Sequence, residues 1–287
     1  MKQVNYKSML TVLLAILLSL PTIAKKEYRV NGVVEFLAAI GDDRTIVLEQ
    51  GPQYNLTTVL QSNQISKMLK NNSSKLSIDE CFDGVELHIN EVKNLTIRGA
   101  GDKPVRLVVE PRYAYVLTFL NCKNITIENL EIGHTPEQGY CDGGVLRFTD
   151  SENMTVQNCY LFGCGTEGAD IVNSKHVYFK NTDIYECTYY IFLITGSEHI
   201  QFDKCRFYRN KEFTLINVRE SQDIVLTECL IYENQGQLFY ISSSITMKKC
   251  KIWHPKDKLE SGVSYLPPGD YMSYIQQENC SWYDVKE

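Results

Sequence analysis

The chain has 287 residues, with 29 Lys and Arg against 35 Asp and Glu, a formal charge of −6, 44% apolar residues, 10 cysteines and 18 tyrosines. That balance excludes a disordered or collagen-like chain. An acidic protein with no basic stripe also lacks the electrostatic footprint of a nucleic-acid binder.

Residues 1–24 place Lys2 and Lys7 before the apolar run Leu10 to Leu20, then Pro21 and the small-residue exit Thr22-Ile23-Ala24. An apolar core of about 11 residues is too short to span a bilayer as a helix, so the segment reads as a cleavable signal peptide. Its removal takes away two lysines and leaves a formal charge of −8. No second run of spanning length follows. The expected mature protein is therefore secreted or periplasmic, has no transmembrane segment, and is a monomer.

In residues 25–84, the spacing of Val33, Val34, Phe36, Leu37 and Ile40 predicts a short amphipathic helix. The β-rich runs Thr45-Ile-Val-Leu48 and Tyr54-Asn-Leu-Thr57 follow, and Ser62 to Leu76, rich in Asn, Ser and Lys, predicts an exposed loop.

From residue 85 to 254 the chain repeats itself. Anchor segments such as Asn124-Ile-Thr-Ile127, Asn153-Met-Thr-Val156, His176-Val-Tyr-Phe179 and His199-Ile-Gln-Phe202 recur with a period close to 23. Each has a following segment (Cys159-Tyr-Leu161, Cys205-Arg-Phe207) and a preceding one (Leu146-Arg-Phe148, Ala169-Asp-Ile171), all with the alternation of half-buried strands. Three short strands per period leave no room for a crossover helix. A coil that cannot bury its apolar edge alone must stack on its neighbours, which gives an all-β, single-stranded right-handed parallel β-helix. Small residues (Cys122, Ser151, Ser174, Ser197, Ser221, Ser242) and asparagines (Asn129, Asn158, Asn181, then Asn210 and Asn234) recur at corners, where their side chains satisfy backbone groups that the bends leave unpaired. Residues 255–287 leave the repeat as a C-terminal tail that either caps the last coil or folds back along one face.

These repeats resemble those of right-handed parallel β-helix proteins of the pectin-lyase-like superfamily. The resemblance implies that residues 25–84 form an N-terminal cap and first rung. It also implies that any sugar cleavage uses carboxylates, basic residues or calcium on an outer sheet face. The outward positions of the preceding segment are Thr118, Arg147, Asp170, Leu193 and Asn217. Arg147 and Asp170 lie one coil apart, as a surface ion pair or as catalytic groups. No cluster of Asp suits calcium, so neither metal nor cofactor is expected. The galacturonase pattern fails as well, since Asn181-Thr182-Asp183 is on the wrong strand and Gly-His-Gly is absent.

The insertion Gly133 to Gly144 brings His134, Glu137 and Asp142 as acid, base or ligand candidates, and Glu167, one coil later, completes a carboxylate pair suited to glycoside hydrolysis. Phe162, Tyr185, Tyr208, Tyr232 and Trp253 each follow an inward residue, so alternation points them outward as a sugar-binding platform, unless the tail covers them. Cys159, Cys205, Cys229 and Cys250 occupy one inward column, with Thr182 in place of a fifth. Cys141, Cys164 and Cys187, spaced by 23 and 23, stack at a turn as small residues, a disulfide or a soft-metal site. His176 and His199 form a turn ladder. The expected function is an exported β-helix that binds a polysaccharide, with cleavage by a lyase or glycoside hydrolase mechanism left open. The alternative is a non-catalytic scaffold of the cell envelope or surface.

Overall fold

Each coil contributes one short strand to each of three sheets, so every strand has its sheet neighbour one coil away. The computed structural model describes residues 25–63, 65, 74–137, 139, 141–163, 165–211, 214–254 and 271–284. The segment expected as a signal peptide, Cys164 and residues 255–270 lie outside the described residues. The anchor segments build a ten-stranded sheet from Lys26–Val30 to Ile275–Glu278, and the following segments a nine-stranded sheet from Tyr54–Asn55 to Ser281–Tyr283. The preceding segments build an eight-stranded sheet that ends at Gln237–Ile241. Pairing is parallel throughout except for one hairpin, Leu76–Cys81 with Gly84–Asn90, at the start of the third sheet.

Register follows the repeat. Ile125, Met154, Val177, Ile200, Ile224 and Ile245 are successive partners in one buried column. Phe148, Phe179, Phe192, Phe202 and Phe207 fill the interior beside it. The bend between anchor and following strands is made by one residue in the left-handed region, at Asn129, Asn158 and Asn181 (φ 54, 53 and 47°) and then at Lys204, Glu228 and Lys249. Asn tolerates that conformation better than other residues with a Cβ.

At the corner before the anchor strand, each amide donates to the serine hydroxyl of the next coil: Cys122 N to Ser151 Oγ, Ser151 N to Ser174 Oγ and Ser174 N to Ser197 Oγ, each at 3.0 Å. The ladder continues to Ser243 rather than to Ser242, because the last coil is shorter and its bend falls one residue later. A second corner is lined by Asn210 and Asn234, whose carbonyl oxygens accept from the amides of Cys187 and Asn210 at 3.0 Å.

The inward cysteines do related work. Cys205 Sγ donates to the carbonyls of Phe179 and Asp203 at 3.5 Å, and Thr182 Oγ1 makes the equivalent bonds to Val156 and Lys180. This is why threonine substitutes there. Cys159, Cys205, Cys229 and Cys250 are free thiols.

The stack is longer than the repeat shows. Arg44–Leu48 pairs in parallel with Leu95–Gly99, and the tail adds a coil of its own: Ile275 pairs with Ile245, and Trp282 sits opposite Ile252. The predicted helix forms over Val33–Ala39 and buries Val33, Phe36 and Leu37, with Ile40 buried at its end, while Val34 is 44% exposed because it falls off the apolar face. Within the segment expected as an exposed loop, Ile65 and Leu76 are buried in the core. No helix among the described residues is long and apolar enough to cross a membrane.

Two outcomes follow from this packing. Ile200→Asp puts an unpaired charge in a closed column and should cost about 3–5 kcal/mol, read as a large fall in Tm. Burial pushes the Cys159 thiol up to about 12 and that of Cys229 well above its ordinary value. Alkylation of the native protein should therefore spare Cys159, Cys205, Cys229 and Cys250. Alkylation in denaturant without reductant should label all four, as checked by peptide mass spectrometry.

Candidate functional site

The outward row of the preceding-segment sheet runs His88, Thr118, Arg147, Asp170, Leu193, Asn217, Tyr240 in register. Beside it stand Tyr115, two residues before the strand Leu117–Leu120, and Glu167, the first residue of the strand Glu167–Val172. The register sets Arg147 beside Asp170, and Tyr115 joins Asp170 to Glu167, which the sequence reading pairs with the carboxylates of the loop. It also adds three groups that the sequence reading missed: Glu86, His88 and Tyr115. The alternation Glu86-Leu87-His88 around a buried leucine was the available signal for the first two. Tyr115 precedes its strand and carries no periodic mark.

The expected surface ion pair is half-buried, with its carboxylate out of water and its guanidinium partly exposed. Arg147 Nε donates to Asp170 Oδ2 at 2.9 Å, with Asp170 only 4% exposed and the guanidinium 3.8 Å above the Tyr115 ring. Asp170 lies under the loops that enter the sheet, not on a bare face. The Tyr115 hydroxyl is 2.6 Å from Glu167 Oε2 and 3.3 Å from Asp170 Oδ2, and Glu167 is 6% exposed. Two carboxylates sharing one hydroxyl sit closer than the roughly 6.5–9.5 Å that an inverting glycosidase pair keeps for its water. Glu86 Oε1 accepts from Thr118 Oγ1 and pairs with His88 Nε2 at 3.0 Å, and its Oε2 accepts from the Tyr115 amide at 2.9 Å.

Burial sorts the protons of this cluster. It pushes the Glu167 carboxyl up to about 8, with the Asp170 charge adding to the effect and the Tyr115 hydrogen bond opposing it. Asp170 is raised by burial too, against the opposing pull of Arg147. Burial would also raise Glu86, but hydrogen bonds from His88, Thr118 and the Tyr115 amide outweigh it and hold this carboxyl low. At neutral pH Glu167 therefore keeps its proton. The Tyr115 hydroxyl donates to Glu167 Oε2 and lies within reach of Asp170 Oδ2, and Arg147 balances the Asp170 carboxylate. The second oxygen of Asp170, Oδ1, is buried and has no partner among the described protein groups.

The loop residues part company. His134, expected as an acid or base, is 2% exposed and bonds through Nε2 to the Ala114 carbonyl at 2.9 Å; burial lowers its pKa, so it is a neutral, buried imidazole. Gly163 passes so close to this ring that a Cβ there would stand 2.5 Å from Nδ1. Glu137 and Asp142 stay exposed. Asp142 is near enough for its charge to help raise Glu167. The loop itself is pinned: Thr166 Oγ1 donates to the Cys141 carbonyl at 2.5 Å and Thr188 Oγ1 to the Gly139 carbonyl at 2.9 Å.

The aromatic column forms, with a different presentation from the one expected. Tyr185 and Tyr208 lie 5.1 Å apart at 3°, Tyr208 and Tyr232 5.2 Å apart at 15°, and Trp253 and Tyr283 4.7 Å apart at 20°. Flat rings cannot lie side by side in one plane at that separation, so they stack on one another. The faces of the inner rings are taken, and the column shows edges and hydroxyls. Phe162, expected outside, is 9% exposed, between Tyr185 and the guanidinium of Arg106. Among the described residues the tail does not cover this column; Tyr283 extends it. His176 and His199 stack likewise, at 4.7 Å and 6°. No group of three or more His, Cys, Asp or Glu among the described residues is arranged to hold a metal ion.

A family model described as the right handed beta helix region matches residues 115–266, more than half of the chain. The chain belongs to that family. Two solved structures share its fold. An alginate lyase from Paenibacillus sp. str. FPU-7 is 10% identical, with a TM-score of 0.53 over 90% of this chain and 95% of that one. A pectate lyase from Paenibacillus sp. 0602 is 8% identical, with a TM-score of 0.54 over 92% of this chain and 79% of that one. At such identities the likeness is one of fold. No curated protein matches the chain by sequence.

The raised carboxyl of Glu167 has a sign that can be measured. Its folded-state pKa lies above the unfolded value, so its contribution to stability is full below about pH 4.5 and is lost as the pH rises to about 8. In Glu167→Gln that loss is absent. The variant should gain on the wild type by a few kcal/mol between pH 5 and pH 8, followed by urea titration at each pH.

Proposed function

We propose that this is an exported β-helix protein that binds a polysaccharide across the outer face of the sheet carrying Arg147, and cleaves it there. The observation that carries the reading is the cluster of Glu86, Tyr115, Arg147, Glu167 and Asp170. An outward sheet face needs no buried charges for folding, and ionised groups out of water are costly unless paired. A protonated carboxyl hydrogen-bonded to a second carboxyl's partner supplies a proton donor and an acceptor side by side, the minimum for general acid–base work on a glycosidic bond. Arg147, a third exposed along its side chain, is the group of this cluster that meets a ligand first. His88 stands in the same outward row, and Asp142 lies near Glu167. The likeness to polysaccharide lyases in fold agrees with this use of the face, as analogy.

The second reading is a non-catalytic scaffold of the cell envelope. It is favoured by the burial of Glu167 and Asp170 and by the stacking of the tyrosines on one another, which leaves few ring faces for sugar.

The deciding assay incubates the protein with a panel of neutral and uronate polysaccharides and follows new reducing ends and unsaturated ends. Product release by the wild type, reduced at least about 100-fold in Glu167→Gln and in Arg147→Ala, is the expected result. A wild type that releases no product from any polysaccharide establishes the scaffold reading instead.

A further inference from the structure

On the sheet of following segments, in the outward row next to the aromatic column, lies a groove of about 420 Å³. Its floor is the outward row Tyr160, Asp183, Arg206, three successive partners one coil apart. Its side is the corner row Asn129, Asn158, Asn181, Lys204. Asp102 and Pro104 close one end. The volume falls within the range of small-ligand sites.

This groove is preformed. The end wall is a loop clasped by two side-chain amides: Asn129 Nδ2 donates to the carbonyls of Gly99, Gly101 and Lys103 at 3.0–3.2 Å, and Gln50 Nε2 to those of Ala100 and Lys103 at 2.6 and 2.7 Å. Gly99 has no room for a side chain, since a Cβ would stand 2.2 Å from the Asn129 carbonyl oxygen. The floor is fixed as firmly. Arg206 donates through Nε and Nη2 to the two oxygens of Asp183 at 2.7 and 2.6 Å, the Tyr208 hydroxyl reaches the same carboxylate at 3.2 Å, and Asp183 is buried. The Arg206 side chain is 46% exposed beside that pair.

We infer that this groove binds an extended neutral oligosaccharide whose sugar units follow the helix axis, one per coil. Four features favour that ligand. The spacing of the amides is the coil pitch of about 4.8 Å, close to the length of a pyranose unit in an extended chain, and the four coils from Asn129 to Lys204 seat about three units. Asn158 and Asn181 share a single bond of 3.3 Å, so each keeps donors and acceptors for hydroxyl pairs. Tyr160 is exposed and stands outside the tyrosine column, so its ring is free of the stacking that occupies the others. The charges of the lining cancel, with Asp102 and Asp183 against Lys204 and Arg206, which gives an anionic sugar no advantage over a neutral one.

The inference shares with the proposed function the premise that the ligand is a glycan, but it uses a different face, so the two can fail separately. Isothermal titration with cellohexaose, mannohexaose, hexagalacturonate and hexaguluronate, at low and high salt, is run on the wild type, Tyr160→Ala and Asn181→Ala. Tyr160 and Asn181 are surface residues, and unchanged melting curves establish that these variants fold. The expected result is salt-independent binding of a neutral hexasaccharide, weakened at least tenfold in Tyr160→Ala and in Asn181→Ala. Binding that survives both groove substitutions, or that is confined to the uronates, overturns the groove and leaves the proposed function standing. Binding of none of the four overturns the groove, and the depolymerisation assay then stands alone for the other face.

Discussion

Every coil of this protein ends with an unpaired row of backbone N–H and C=O groups on each of three strands, and only another coil at one hydrogen-bonded pitch can satisfy them. That requirement fixes the rest of the structure. It places equivalent residues of successive coils in straight columns, so a residue is judged less by its own preference than by how well it tolerates a near copy of itself above and below. It also explains the ends. The helix Val33–Ala39 buries Val33, Phe36 and Leu37 against the first coil, and the tail contributes Ile275 and Trp282 to a last one.

Columns of like residues succeed where the residue both donates and accepts. Serines at one corner and asparagines at another each take an amide from the neighbouring coil while giving a hydrogen bond back, so the chain is continuous however long the stack becomes. Thiols serve in the interior because they are small and their weak donors find carbonyls. Tyrosines serve outside by stacking face to face, and this takes their faces away from any ligand. Charged residues cannot stack on themselves and appear instead as opposite charges one coil apart: Lys123 with Glu152, Lys175 with Glu198, Arg147 with Asp170, Arg206 with Asp183. The first two of these pairs are exposed and worth little. The last two have a buried carboxylate, and it is there that the surface becomes chemically specific.

The columns were readable in advance because their periodicity survives in the sequence. Arg147 and Asp170 were legible as neighbours from the spacing of Leu146-Arg-Phe148 and Ala169-Asp-Ile171, and the inward isoleucines from the anchor segments. Tyr115, Glu86 and His88 were not. They lie before the clear repeats or on a hairpin outside them, and they reach Glu167 and Asp170 through turns whose paths carry no period. The groove beside Tyr160 escaped notice for a related reason. Its floor and side are repeat positions, but its end wall, Asp102 to Pro104, is an insertion, and a cavity exists only where the two meet.

By itself the sequence determined the stacking, the register and which side chains face inward, because each of these depends on local alternation and on a period that one strand hands to the next. The tertiary structure alone decided the depth of the outward groups. Whether Asp170 is a surface charge or a buried one, whether a tyrosine shows its face or its edge, and whether His134 meets solvent all depend on how inserted loops lie over the stack and on side-chain torsions. Those are set by packing between segments distant in sequence, and no local pattern encodes them.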